Sequence, residues 1–134
     1  MSDFDLRVLS MLNEVASTLP PVSHARIAAA FFHKKRMISL GWNSYKTDPL
    51  QSKYAATPER IYLHAELSAL KQALWTGIDL RKTTLYIARY SRAKGWGNSA
   101  PCVGCRRALH VFEVGKIIHT CDGVSAYRES GRVS

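Results

Sequence analysis

His64, Glu66, Cys102 and Cys105 are the residues of this 134-residue chain whose types and spacing could do chemistry together. Imidazole nitrogen and thiolate sulfur are donors that zinc favours, and three protein ligands leave a fourth position open for water. Zinc lowers the pKa of such a water towards neutrality. Glu66 lies two residues from His64, where a carboxylate can shuttle protons to and from that water. The same donors also read as a closed structural zinc site. That reading needs a fourth protein ligand. Cys121 and His110 are the spare candidates, and Glu66 and Pro101 are left without a role.

Two helix starts must hold these residues. Leu63, Leu67, Leu70 and Leu74 recur at helical spacing, which predicts a helix over Leu63–Thr76 with Gly77 at its stop. Two residues along a regular helix turn through about 200°. His64 and Glu66 can therefore face one point only if His64 sits at the helix start and is not yet fully helical. The helix N-terminus adds partial positive charge there. Pro101–Glu113 predicts a second helix, with proline in its first turn and Gly115 as its stop. Cys102, Cys105, Leu109 and Phe112 share one face of it, and thiolates at a helix start gain from its dipole.

The two halves, His64-Ala65-Glu66 and Pro101-Cys102-Val103-Gly104-Cys105, match the H-x-E…P-C-x-x-C signature of zinc nucleobase deaminases. From His24 to Tyr127 the chain resembles the cytidine deaminase superfamily. The resemblance implies a zinc ion held by His64, Cys102 and Cys105, and hydrolysis of a C–N bond: deamination of a cytosine nucleoside or nucleotide. It implies that Glu66 moves a proton from water to the base ring and then helps protonate the leaving ammonia. It further implies that the backbone at Ala65 and near Ala100 reads the base edge and that Asn43 holds the sugar. Asn43 also reads as an ordinary turn residue. Small relatives assemble, so a homo-oligomer is expected.

The remaining elements predict one domain over residues 1–134, a three-layer α/β/α cytidine deaminase-like fold with a mixed sheet of four to five strands. Residues 4–19 form an amphipathic helix capped by Asp3 and ended by Pro20-Pro21. Ala25–Phe32 and Met37–Trp42 form a hairpin around His33-Lys34-Lys35-Arg36. Residues 44–60 read as a long polar loop. Thr83–Tyr90 is the third strand, and the helix before it implies parallel pairing through a crossover. Ser91–Ala100 is a loop that many relatives lack; its Trp96 either stacks on a base or packs the loop down. Lys116–Cys121 is the fourth strand. After the Asp122-Gly123 turn, Val124–Arg128 can return as a fifth. It should run antiparallel, because a parallel return needs a crossover of about a dozen residues. In the superfamily the antiparallel arrangement resembles the free-nucleoside enzymes, and the parallel one the tRNA and polynucleotide deaminases.

Composition bounds the partners. The hydrophobic fraction of 46% suits a soluble globular chain. No apolar run is long enough to span a bilayer, so no membrane is expected. The N-terminus lacks the basic start of a secretory signal. Three cysteines, two of them assigned to metal, argue against a disulfide framework and for the cytoplasm, with Cys121 as a buried small hydrophobe. The net charge of +9 points to an anionic partner. Arg92 and Lys94, in the loop before the cysteines, are placed to grip a substrate phosphate. Two other readings stand beside the small substrate: a deaminase of single-stranded nucleic acid or tRNA, and a non-catalytic zinc or nucleic-acid-binding module.

Overall fold

A computed structural model describes residues 3–22, 25–46, 48–54, 63–123 and 126–131. The hairpin forms as expected, from β1 (Ile27–His33) and β2 (Arg36–Trp42). Lys34 and Lys35 join them with φ of 51° and 63°. Such a tight two-residue turn needs left-handed backbone at both positions. Ala28 and Ala30 pack on one face of β1, Ala29 and Phe31 on the other, and all four are fully buried. A strand covered on both faces has no use for alternating polarity, hence the continuous apolar run.

β1 pairs antiparallel with both β2 and β3 (Thr84–Ser91). β3 pairs parallel with β5 (Lys116–Thr120), which pairs antiparallel with β6 (Tyr127–Gly131). The order is β2-β1-β3-β5-β6, with β4 (Gly95–Gly97) on the far end of β3. Among the described residues the sheet thus has six strands, one more than the four to five expected, because the segment expected as a loop folds back as β4. The parallel crossover also differs from expectation. β1 separates β2 from β3, and the directly paired parallel strands are β3 and β5, on either side of α4 (Val103–Val111). The last strand is antiparallel as expected but begins at Tyr127; residues 124–125 lie outside the described residues.

Helices cover both faces, as the three-layer expectation required. α1 (Asp3–Ser17) buries Val8, Leu9, Leu12 and Ala16 against one face, with Asp3 as its first residue and not its cap. α3 (Ala65–Trp75) and α4 lie on the other face, over Ala29, Phe31, Leu85, Ile87 and Ile117. α3 buries Ala65, Glu66, Leu67, Ala69, Leu70 and Ala73, while Leu74 is 40% exposed. Small residues let α3 approach β2 so closely that a Cβ at Gly41 would lie 2.4 Å from Ala69 N and 2.7 Å from Ser68 Cβ. The presumed loop contains a short helix, α2 (Pro49–Tyr54); residues 55–60 lie outside the described residues. Gly115 does not stop α4. Phe112 caps the helix, Glu113 takes the left-handed turn at φ 57°, and a Cβ at Gly115 would meet Arg81 O at 2.3 Å.

Candidate active site

The two ligand-bearing segments end as N-caps. His64 is the N-cap of α3, with φ −83° and ψ 156°, and its ring does not cap the helix. That extended backbone is what the spacing of His64 and Glu66 demanded. Cys102 is the N-cap of α4, and its sulfur accepts from Cys105 N at 3.4 Å. Pro101 therefore precedes the cap and is not in the first turn. Both cap carbonyls accept the first helical bonds, from Ser68 N at 3.0 Å and Arg106 N at 2.9 Å.

His64 Nδ1 lies 3.5 Å from Cys102 Sγ and 3.2 Å from Cys105 Sγ. All three donor atoms lie within 4.8 Å of one another. Tetrahedral zinc, with bonds of about 2.3 Å to sulfur and 2.0–2.1 Å to nitrogen, sets N and S roughly 3.6 Å apart. Both nitrogen–sulfur distances therefore fit zinc to within a few tenths of an ångström. Among the described residues no fourth His, Cys, Asp or Glu joins this group. Neither Cys121 nor His110 completes a closed structural site, and Cys121 is half-buried, not fully enclosed.

Electrostatics fit the same use. Without metal, Cys102 is held down to about 4, first by the hydrogen bond from the Cys105 thiol and then, against burial, by His64. The same bond and burial push Cys105 up. Glu66 is 5% exposed on the inner face of α3, beside the ligands but outside their group. Burial raises its pKa, while His64 and a hydrogen bond with Cys105 pull it down. A carboxyl whose neutral form is favoured in this way can exchange a proton with a neighbouring water.

A polar pin seats the segment leading into Cys102. Ser99 is buried; its hydroxyl donates to Ile87 O at 2.8 Å and accepts from Thr120 N at 3.0 Å. Ser99 N donates to Thr120 O at 3.0 Å, and Thr120 Oγ1 donates to Gly97 O at 2.6 Å. Sequence reasoning missed Ser99 and Thr120. It also missed Gln51 on α2, which touches both His64 and Cys105. A buried polar residue on a six-residue helix leaves no periodic signal.

The other expected contacts fall as follows. Ala65 is fully buried as the first residue of α3. Ala100 is exposed, and its N–H donates to Asn98 Oδ1 at 3.0 Å. Asn43 is buried at the end of β2; its Oδ1 accepts from Ile27 N at 3.0 Å and its Nδ2 donates to Ala25 O at 3.1 Å. Any sugar contact would use the remaining amide hydrogen or lone pair. Trp96 is 5% exposed, its ring packed in the α1-side core; with the Asn13 side-chain amide turned over, the indole N–H donates to the Asn13 oxygen at 3.2 Å. Arg92 is exposed. Lys94 pairs with Asp122 at 3.0 Å. Both line a hollow of about 620 Å³ with Arg26, Arg89 and Asn98.

Among curated proteins, none matches the sequence closely enough to be called a relative. Solved structures share the fold. A cytidine deaminase from Burkholderia pseudomallei aligns with a TM-score of 0.65 and 17% identity, over 98% of this chain and 93% of that one. The apo dCMP deaminase of cyanophage S-TIM5 gives 0.62 and 16%, over 93% and 89%; its complex with dCMP and dUMP gives 0.55 and 14%, over 87% and 77%. Acinetobacter baumannii RibD gives 0.54 and 18%, over 88% of this chain but 28% of the larger protein. The sequence model of the cytidine and deoxycytidylate deaminase zinc-binding region matches residues 2–121. That match spans the His64-Ala65-Glu66 and Pro101–Cys105 motifs and nearly the whole sheet that brings them together, and the chain belongs to this family of zinc-binding deaminases.

Proposed function

We propose that the chain hydrolytically deaminates the cytosine of a small nucleoside or nucleotide and releases ammonia. One observation carries the reading: Glu66 is buried beside, but outside, a three-donor group of His64, Cys102 and Cys105. Bound zinc would supply a Lewis acid that activates water at neutral pH. The rest is the work of the chain. Glu66 takes a proton from the attacking water and passes it to the ring nitrogen; it then takes the second proton from the newly added hydroxyl and gives it to the amine, so that the C–N bond breaks, the carbonyl forms and ammonia leaves. Its burial excludes competing solvent and strengthens these transfers. The backbone at Ala65 and Ala100 flanks the base, and Asn43 offers its remaining amide hydrogen to the sugar.

Support for a small substrate comes from β6. It runs antiparallel to β5, the arrangement that the resemblance associates with free-nucleoside enzymes. The basic hollow lined by Arg92 and Lys94 is lined by none of His64, Glu66, Cys102 and Cys105, so a nucleotide with its base at Glu66 would have to extend its phosphate out to Arg92. The same hollow and the +9 charge favour a second reading, a deaminase of single-stranded nucleic acid. Ammonia release from deoxycytidine, its monophosphate, deoxyadenosine and a single-stranded oligonucleotide separates the two. Turnover of the monophosphate supports the first reading, and turnover of the oligonucleotide alone refutes it. Replacing Arg92 and Lys94 with alanine should raise KM for the monophosphate and leave deoxycytidine little changed, since a ground-state contact is lost.

A cytoplasmic homo-oligomer is the proposed setting. Among the described residues no helix is long and apolar enough to cross a membrane. Trp75 is 91% exposed and Tyr45 57%, aromatic surface that an assembly could cover. Light scattering showing a monomer at micromolar concentration would reject the oligomer.

A further inference from the structure

We propose that Gln51 is a positioning residue of the metal site: one side-chain amide fastens the His64 segment to the Cys105 sulfur and so sets metal affinity. The inference rests on the zinc reading of that site. α2 has six residues, too few to persist without tertiary contacts. Its one buried side chain is Gln51, 1% exposed. A buried amide is costly unless both ends are bonded, and here both ends are spent on the metal site. Oε1 accepts from His64 N at 3.0 Å, and Nε2 points at Cys105 Sγ from 3.9 Å, within reach of a weak N–H···S bond. One rigid amide thus bridges ligands that belong to two different helices.

The seat of this amide is itself built. Asp48, 4% exposed, caps α2: its Oδ1 accepts from Leu50 N at 2.9 Å and Gln51 N at 3.3 Å. Its Oδ2 accepts from Lys71 Nζ, on α3 beyond Glu66. α2 is therefore tied to α3 at Lys71, and through Gln51 to the starts of both α3 and α4. The chemistry explains why the residue is glutamine. A metal-bound thiolate keeps excess negative charge, and an N–H donor draws some of it off without adding charge or competing as a ligand. Partners of this kind orient ligands and typically hold 10–100-fold of metal affinity.

Gln51→Glu removes the donor to sulfur, and Gln51→Met, which brings neither charge nor an oxygen ligand, is its control. Gln51→Glu preserves shape and the acceptor for His64 N but replaces the donor to sulfur with a second oxygen. Gln51→Met removes both bonds and keeps the volume. Zinc affinity is read by competition with a colorimetric chelator. Cobalt loading adds the sulfur-to-metal charge-transfer spectrum, which a packing role alone would not move. We expect zinc affinity to fall about 10–100-fold in Gln51→Glu, at least as far in Gln51→Met, and the charge-transfer band to shift in both. The thermal midpoints of both metal-free variants are measured alongside, because losing a buried, bonded amide lowers stability by itself. Unchanged zinc affinity and an unchanged cobalt spectrum in both variants would reduce Gln51 to a packing residue. A parent chain that binds no zinc would instead sink the reading of the site, and this proposal with it.

Discussion

Replacing Gly41 with alanine should damage the site from the opposite side of α3. The added Cβ would stand 2.4 Å from Ala69 N and 2.7 Å from both Ser68 Cβ and Oγ. Optimal non-bonded contacts lie near 3.5 Å, so β2 and α3 must part by roughly 1 Å. The nearest obstacle is backbone, which no rotamer change relieves. Overpacking of this kind costs about 1–3 kcal/mol, or roughly 3–12 °C in Tm for a domain of this size. The larger effect should be on function. α3 carries His64 and Glu66 and α4 carries the cysteines, so displacing α3 changes the spacing of the ligand set itself. A misplacement of about 1 Å at a reacting centre costs on the order of 100-fold. Gly77→Ala is the control: with φ of 73° and open space around the Cβ, it strains the end of α3 without moving its start. Calorimetry, chelator competition and turnover are compared for the two variants. Equal loss of stability with equal, near-parental zinc affinity and kcat would refute the link between this packing contact and the site.

Three further outcomes follow from the geometry. Cys105→Ser should lose zinc and lower Tm, since the ligands join two core helices; full zinc occupancy by metal analysis would exclude this ligand set. Glu66→Gln should retain zinc and fold but lose about 10²–10⁴-fold in kcat, because its oxygen stands outside the ligand group; loss of zinc instead would make Glu66 a ligand. The Asp48 carboxyl is lowered overall: burial raises it, but bonds from Lys71, Gln51 and Leu50 outweigh burial. Its contribution to stability is therefore present above its unfolded pKa of about 3.9 and lost as pH falls through the lower folded value. Urea titrations of the metal-free chain from pH 6 to 3 should show this loss in the parent and a flatter profile in Asp48→Asn.

The grouping of His64, Cys102 and Cys105, with Glu66 beside them, was legible because its constraints are local. The His64–Glu66 spacing demands a helix start, and the backbone of His64 obeys. The Asp122-Gly123 turn signals an immediate return of the chain, and β6 is antiparallel to β5. What escaped was set by tertiary contact. α2 has no periodicity and owes its existence to Asp48 and Gln51 binding across to α3 and α4. Trp96 sits on a three-residue strand whose inward side only the completed sheet defines. Gly115 looked like a helix stop, yet its need for glycine comes from Arg81 and Thr83, more than thirty residues back in the chain. That β1 would insert between β2 and β3 is a choice among pairings that strand patterns leave open.

The segment between β3 and the cysteines is fastened twice. Trp96 anchors it on the α1 face, and the Ser99–Thr120 bonds clamp it again just before Pro101. Between Ser91 and Gly95 only Arg92, Ala93 and Lys94 remain at the hairpin tip, all exposed. Changes in length or charge at that tip are absorbed before they reach Cys102. The hairpin tip is thus a replaceable module, set apart by two anchors from the segment that carries Cys102, where variation can change the surface without disturbing the donor group. An insertion after Ala93 should be tolerated where one after Ala100 is not.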